Sequence, residues 1–281
     1  MSSLIGVSIG IVVLLGLAWS LTAGRKRPLA DRDWATDHAR MIRTEVLEDR
    51  VRLHDLRDFD WSAPAESQEG YRTADYELAD VRRVWFVLAP FAERWRGLAH
   101  SFMSFEFSDD RFLAVSVEAR REDGEAYSLL RGVWRGFETT YVVGTERDLI
   151  GQRAIRGDTL FLYPSRATAA QASELFVDMM RRADSLREDP EWYNTFLNNC
   201  TTNLRDHVNR IASDPLPWGW GILMPGYSDA LALGHGLLDT DLDIDAARMR
   251  FRVDSLAREA VDEGEAFGRK IRSSMPLLEE R

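Results

Sequence analysis

Residues 99–107, AHSFMSFEF, and 111–120, RFLAVSVEAR, alternate in polarity with a period of two around the short break Ser108-Asp109-Asp110. Such a pattern fits an antiparallel hairpin and little else. The first arm sets His100, Phe102, Ser104 and Glu106 on one face and Ser101, Met103, Phe105 and Phe107 on the other. Loop length decides the register. A three-residue loop pairs Phe107 with Arg111 and brings His100 opposite Glu118. A loop of two or four residues puts Ser101 there instead, with its side chain on the other face.

Around the hairpin, Val51 and Leu53 alternate with Arg50, Arg52 and His54, and residues 84–88, VWFVL, are stopped by Pro90. With 141–143 and 159–163 these predict a sheet of four or five strands, mostly antiparallel. Residues 62–70, SAPAESQEG, read as a loop. A long helix follows, with Ala172, Leu175, Phe176, Met179, Met180, Ala183 and Leu186 at helical spacing. Thr168 and Gln171 form a capping box at its start. A second helix begins at Cys200 and carries Leu204, Val208, Ile211 and Ala212 on its apolar side. Three prolines and three glycines in 213–226 argue against regular structure there. Residues 243–262 read as a helix with Ile244, Ala247, Phe251 and Leu256 inward. The class is α+β.

Residues 4–23 contain no charge, and twenty such residues span a hydrocarbon core at about 1.5 Å each. No cation precedes them, and the run is long for a cleaved leader, so an N-terminal transmembrane helix is expected. The chain divides into an anchor with its basic flank, 1–30, and a body, 31–281. Arg25-Lys26-Arg27 by themselves favour a cytoplasmic body. The 281-residue chain has 36 Lys and Arg against 46 Asp and Glu, a net charge of −10. With no cationic stripe, a nucleic-acid partner is excluded.

Cys200 is the single cysteine, which excludes an internal disulfide, a thiolate zinc cluster and an iron–sulfur site. HExxH, GxSxG, a Walker A loop and a strand-borne GxGxxG are absent, and neither metal nor cofactor is expected. Arg156-Gly157-Asp158 reads as a turn. Cys200 itself enters a helix from WYNTFLNNCTTNLRDHV, with Asn199, Thr201 and Thr202 as capping residues. A thiol there meets the positive end of the helix and its free N–H groups, which favour a nucleophile and hold an oxyanion. The base is sought among the histidines. His207 lies seven residues along the same helix, roughly 10.5 Å away and too far to touch the sulfur. His38 and His54 sit in charged surroundings and read as surface residues, and His235 as a loop residue. His100 opens a strand whose face is polar. Glu118 is the expected orienting carboxylate, with Ser116 next in line and a salt bridge to Arg120 or Arg121 as the alternative role of Glu118.

AHSFMSFEF, SVEARRE with GEAYS behind it, YVVGTERDLI, LFLYP and EWYNTFLNNCTTNLR, in this order, resemble the Lnb N-terminal periplasmic domain family over about residues 31–275. The resemblance implies a papain-like, NlpC-type fold in which a cysteine opens a helix packed on an antiparallel sheet. His100 precedes Cys200, so it also implies a circularly permuted order. Carried over, it makes Cys200 the nucleophile, His100 the base and Glu118 the third member. Tyr193, Asn199, Thr201 and Ser101 support the site, and Trp218 and Trp220 line an acyl groove or rest at a lipid interface. The implied activity is acyl transfer through a thioester, as in bacterial lipoprotein N-acylation, on a lipid or lipoprotein substrate. The domain is then extracytoplasmic and held at the inner membrane, against the sign of the basic flank. The family's acyltransferases carry several membrane spans after this domain, whereas here only the N-terminal run is apolar enough. The alternatives are therefore a cysteine amidase or peptidase acting on cell-wall peptides, and an inactive binding domain. No partner protein is implied.

Overall fold

The computed structural model describes residues 27–28, 31–63, 66–92 and 96–275. The apolar run 4–23, expected to be a transmembrane helix, lies outside them. Among the described residues no helix is long and apolar enough to cross a membrane.

The strands are β1 (Arg43–Val46), β2 (Arg50–Arg57), β3 (Asp60–Ala63), β4 (Glu66–Gln68), β5 (Tyr71–Glu77), β6 (Val81–Pro90), β7 (Ala99–Phe107), β8 (Phe112–Arg120), β9 (Glu138–Thr145) and β10 (Phe161–Pro164). Eight of them form one sheet in the order β1-β2-β9-β8-β7-β6-β10, with β5 on the other edge of β2. Every pairing is antiparallel except the single β2–β9 contact, Arg57↔Gly144. The sheet is thus larger than the four or five strands expected. β1 and β5 are short and mostly polar, so periodicity hid them. The segment read as a loop, 62–70, takes in the end of β3 and the whole of β4, which pairs with it.

Helices α1 (Leu129–Val133), α2 (Glu146–Arg156), α3 (Ala169–Glu188) and α4 (Cys200–Ile211) are joined by five short ones. These are α5 (Trp220–Leu223), α6 (Ser228–Gly234), α7 (Ile244–Arg250), α8 (Asp254–Ala260) and α9 (Phe267–Ile271). Two expectations fail here. Gly219 opens α5 inside the segment read as irregular, and the helix expected over 243–262 is broken into α7 and α8. At the break, the Phe251 carbonyl accepts from Leu162 N–H at 2.9 Å and Val253 N–H donates to the Leu160 carbonyl at 2.8 Å, so these backbone groups bond to the β10 segment instead of continuing one helix. Inward burial consequently falls to Ala257 and Ala260, and Leu256 is only partly covered.

Both faces of the sheet are covered. On one, Met103, Phe105 and Phe107 of β7 meet α3, whose seven expected core residues are all buried. Thr168 and Gln171 make the expected capping box. On the other face, Phe102 and Ala114 meet α2, α8 and α9 through Leu149, Ile150, Ala257 and Phe267. Alternating residues of β7 and β8 therefore serve two different cores, and this is why nearly all of β7 is buried.

The expected hairpin register is present. Phe107 N–H bonds to Arg111 at 3.0 Å, and Asp110 takes φ 62°, a left-handed conformation that Asp tolerates. The ladder runs from Glu106↔Phe112 to Met103↔Val115 and stops. Yet β6–β7 pairing continues to Pro90↔Ala99, and β8–β9 pairing to Arg120↔Glu138. Strands β7 and β8 therefore separate at the end that carries His100 and Glu118.

Phe176 anchors the helical layer, with ring contacts to Tyr76, Phe105 and Phe107 at 6.2, 5.2 and 5.6 Å. Truncation to alanine leaves a cavity between α3 and the sheet. Phe176→Ala is expected to lower unfolding free energy by about 3–5 kcal/mol. Chemical denaturation of variant and parent measures this, and a loss below 1 kcal/mol would contradict the assigned packing.

Candidate functional site

The gap between β7 and β8 opens a cleft of about 360 Å³, lined by both Cys200 and His100. Cys200 is the first residue of α4 and is 3% exposed. Asn199 caps the helix. Its side chain accepts from Thr202 N–H at 2.9 Å, Thr202 Oγ1 accepts from Asn199 N–H at 2.8 Å, and Asn199 Nδ2 donates to the Thr195 carbonyl at 2.7 Å. The α4 start is pinned to the sheet by Ser101 Oγ and Thr201 Oγ1, 2.9 Å apart. Thr201 Oγ1 also lies 3.8 Å from Cys200 Sγ. Asn199, Thr201 and Ser101 thus fix the start of α4 on which the thiol sits.

His207 contributes to the same task. It is buried. Its Nδ1 meets Asp178 at 2.5 Å and its Nε2 meets the Tyr141 hydroxyl at 2.6 Å. Tyr141 donates to Asn203, whose amide bonds Asn198 and the Asn199 carbonyl. This chain ties the Cys200 cap to α3 and β9.

His100 is 8% exposed. Its Nε2 lies 2.6 Å from Ser116 Oγ and 3.7 Å from Glu118 Oε1, and Ser116 Oγ donates to that same oxygen at 2.8 Å. Glu118 was expected as the direct orienting partner. Ser116 takes that contact, with Glu118 one hydrogen bond behind, because the strands have parted and Ser116 fills the distance. Burial opposes charge on Glu118, but the His38 hydrogen bond and the electrostatic attraction of His100, His38 and Arg153 outweigh it and hold the carboxyl well below the usual range. A charged Glu118 accepts only. The Ser116 proton therefore points to Glu118, and Ser116 must accept from His100 Nε2–H. That fixes the tautomer and leaves the Nδ1 lone pair without a hydrogen-bond partner among the described residues.

Burial, then the nearby Arg153, push His100 down to about 3, while Glu118 acts in the opposite sense. At neutral pH the ring is an uncharged base. No hydrogen bond joins His100 to Cys200 Sγ. The structure brings the two to one cleft without a direct contact between them.

His38, read as a surface residue, is buried and belongs to this network. Arg121 N–H donates to its Nδ1 at 3.1 Å, so its Nε2 donates to Glu118 Oε2 at 3.0 Å. The sequence signal was concealed by charged neighbours. Asp37 and Arg40 are paired with Arg121 and Asp55, which spends their charge locally. His54 remains partly exposed, paired with Glu45, and the Arg156-Gly157-Asp158 turn is the left-handed C-cap of α2.

Tyr193 is buried against the cleft. Burial raises its phenol well above the ordinary value, assisted by Cys200 and Tyr127, while the Cys200 backbone N–H acts the other way. It therefore stays a neutral donor beside the first N–H of α4. Trp218 and Trp220 do not line the cleft. Both are exposed, and Trp218 faces the Arg205 guanidinium at 4.9 Å. Leu223 and Pro225 of the same segment line it instead. Among the described residues no cluster of His, Cys, Asp and Glu is arranged to hold a metal ion.

The family model of the Lnb N-terminal periplasmic domain matches residues 67–225, which include Cys200, His100, Ser116 and Glu118 but not His38. No curated protein and no solved structure matches the chain.

Because His100 has its folded-state pKa depressed from 6.5 to about 3, it contributes stability that is complete above pH 6.5 and is lost as pH falls toward 3. His100→Gln removes that titration. Between pH 7 and pH 5 the parent should lose up to about 2 kcal/mol more than the variant. Denaturation curves at the two pH values test this, and equal losses would show that His100 is not held neutral.

Proposed function

The chain belongs to the Lnb N-terminal periplasmic domain family, and from that membership and the cleft we propose that it is a cysteine-dependent acyl-transfer enzyme working outside the cytoplasm. The observation that carries the reading is the tautomer of His100. A buried imidazole held neutral, with Nε2–H committed to the Ser116–Glu118 chain, presents Nδ1 as a base in the cleft that holds the first-turn thiol of α4. A merely buried cysteine has no use for such a partner.

The steps follow from these groups. Cys200 Sγ attacks an acyl carbonyl as its proton passes to His100 Nδ1. The resulting imidazolium is stabilised through Ser116 by the Glu118 charge, which His38 keeps in place. The carbonyl oxygen gains charge at the N-terminal end of α4, whose partial positive charge stabilises it. Collapse breaks the carbonyl–oxygen bond of an ester donor. The leaving alkoxide takes the proton from His100, and a thioester remains on Cys200. An amine then attacks the thioester, gives its proton to His100, and leaves as an amide while Cys200 recovers its thiol. Lipid or lipoprotein acyl groups are the proposed substrates. The papain-like, NlpC-type relationship and attachment to the inner membrane by residues 4–23 belong to the same proposal.

Intact mass measurement of the protein purified from membranes is expected to show an acyl adduct on Cys200 that neutral hydroxylamine removes and Cys200→Ser lacks. An unmodified thiol together with cleavage of wall peptides would replace acyl transfer by the amidase reading. An unmodified thiol that resists alkylation until denaturation would end both.

Ser116→Ala separates the relay from a salt-bridge role of Glu118. With the hydroxyl gone, His100 loses its fixed tautomer, and kcat should fall by about 10²-fold with little change in KM. Steady-state kinetics of acyl transfer measure this, and an unchanged kcat would remove Ser116 from the mechanism.

A further inference from the structure

The cleft that holds Cys200 has an unusual mouth. Phe91, Tyr127, Leu129, Phe196 and Leu223 line it, and each is exposed. They come from the β6–β7 connection, the start of α1, the loop before α4, and α5. Immediately beside them Leu130 and Leu197 are 76% and 71% exposed. Single exposed apolar residues need no explanation, but a collar drawn from four segments around one opening does.

Cations stand in the same opening. Arg121, Arg153 and Arg156 line the cleft, on a chain whose net charge is −10. Arg121 and Arg153 have carboxylate partners in Asp37 and Glu118. Arg156 is exposed at the end of α2 and has no ion pair or hydrogen bond among the described residues, with only the Trp61 ring at 6.0 Å. An apolar collar with an unpaired cation at its rim is complementary to a surface that is apolar beneath an anionic layer.

The route of the chain agrees. It enters the fold beside this opening, where Ala35 N–H bonds to the Arg121 carbonyl at 3.0 Å and Trp34 bridges to Glu122. Eleven Cα–Cα steps connect Ala23, the end of the apolar run 4–23, to Trp34, a reach of at most about 40 Å. A body tethered to a bilayer by that run has this mouth within reach of it.

We propose that the mouth of the Cys200 cleft is a lipid-docking surface, in which the collar of Phe91, Tyr127, Leu129, Phe196 and Leu223 enters the headgroup layer of the bilayer and Arg156 meets an anionic headgroup. The proposal rests on the acyl-transfer reading, which gives a lipid surface its reason to meet this cleft. Docking brings the carbonyl of a lipid ester to the thiol without full extraction of its chain into water.

The test uses the full chain in vesicles of phosphatidylethanolamine and phosphatidylglycerol, in a Cys200→Ser background so that no chemistry occurs. Leu130→Cys, Leu197→Cys and Leu47→Cys each carry an environment-sensitive fluorophore, after circular dichroism has shown the parent fold. Leu47 is also exposed but lies in the β1–β2 turn, away from the cleft. The probes at 130 and 197 should shift to the blue and lose emission to lipids bearing a shallow quencher, while the probe at 47 does neither. Equal behaviour of the three probes overturns the proposal. So does a blue shift at 130 and 197 without lipid quenching, which marks a second protein or a second copy as the occupant. Arg156→Gln should weaken the quenching in vesicles with phosphatidylglycerol and leave it unchanged in phosphatidylcholine alone; an identical response in both removes the anionic contact. Because these readouts do not need the Cys200 thiol, docking without an acyl adduct in the active chain would sink the acyl-transfer reading alone, and an adduct without docking would sink this one alone.

Discussion

A carboxylate largely withdrawn from water must be surrounded by donors, and the open end of the sheet is organised around how the half-buried Glu118 meets that demand. One oxygen takes Ser116 and Arg153, and the other takes His38. Each of these donors is thereby committed. Ser116 has one proton and directs it at Glu118, so the imidazole of His100 can only donate to Ser116. The tautomer at the cleft is the consequence of a charge lying two hydrogen bonds away. Removal of any one member leaves another buried polar group without its partner, which is why the group is expected to act as a unit.

That arrangement needs space, and the broken ladder between β7 and β8 supplies it. Were the strands paired to their ends, backbone hydrogen bonds would bring His100 and Glu118 face to face, and Ser116 would have no gap to bridge. Pairing is retained on the outer sides of both strands, so only the edges that face the cleft are open. The cores on both faces of the sheet keep the two strands from collapsing back together. The helix bearing Cys200 packs on the face of Ser101, while His100 belongs to the face of α2, and the parted strands are where the two faces communicate.

Much of this was legible in the chain. The alternation of residues 99–120 and the three-residue break fixed the hairpin and its register, and the spacing of Ala172 through Leu186 fixed α3 and its buried side. The capping residues around Cys200 placed the thiol at a helix start. Other parts were hidden for identifiable reasons. β1 and β5 carry arginines and acids on their outer edges and show no apolar period. His38 and His207 sit among charged residues, and local polarity says nothing about a partner eighty or sixty-six residues away in the sequence, such as Glu118 or Tyr141.

By itself, then, the sequence determined the α+β class, the hairpin, the position of the lone thiol and the polar face on which His100 lies, because these depend on periodicity and on neighbours within a few residues. Only the tertiary structure decided that β7 and β8 part company, that Ser116 stands between His100 and Glu118, and that His38 closes the carboxylate from the far side. Those outcomes arise from long-range burial. Whether a hydroxyl relays a proton or merely faces water depends on which distant donor reaches the same carboxylate, and no local pattern in the chain encodes that.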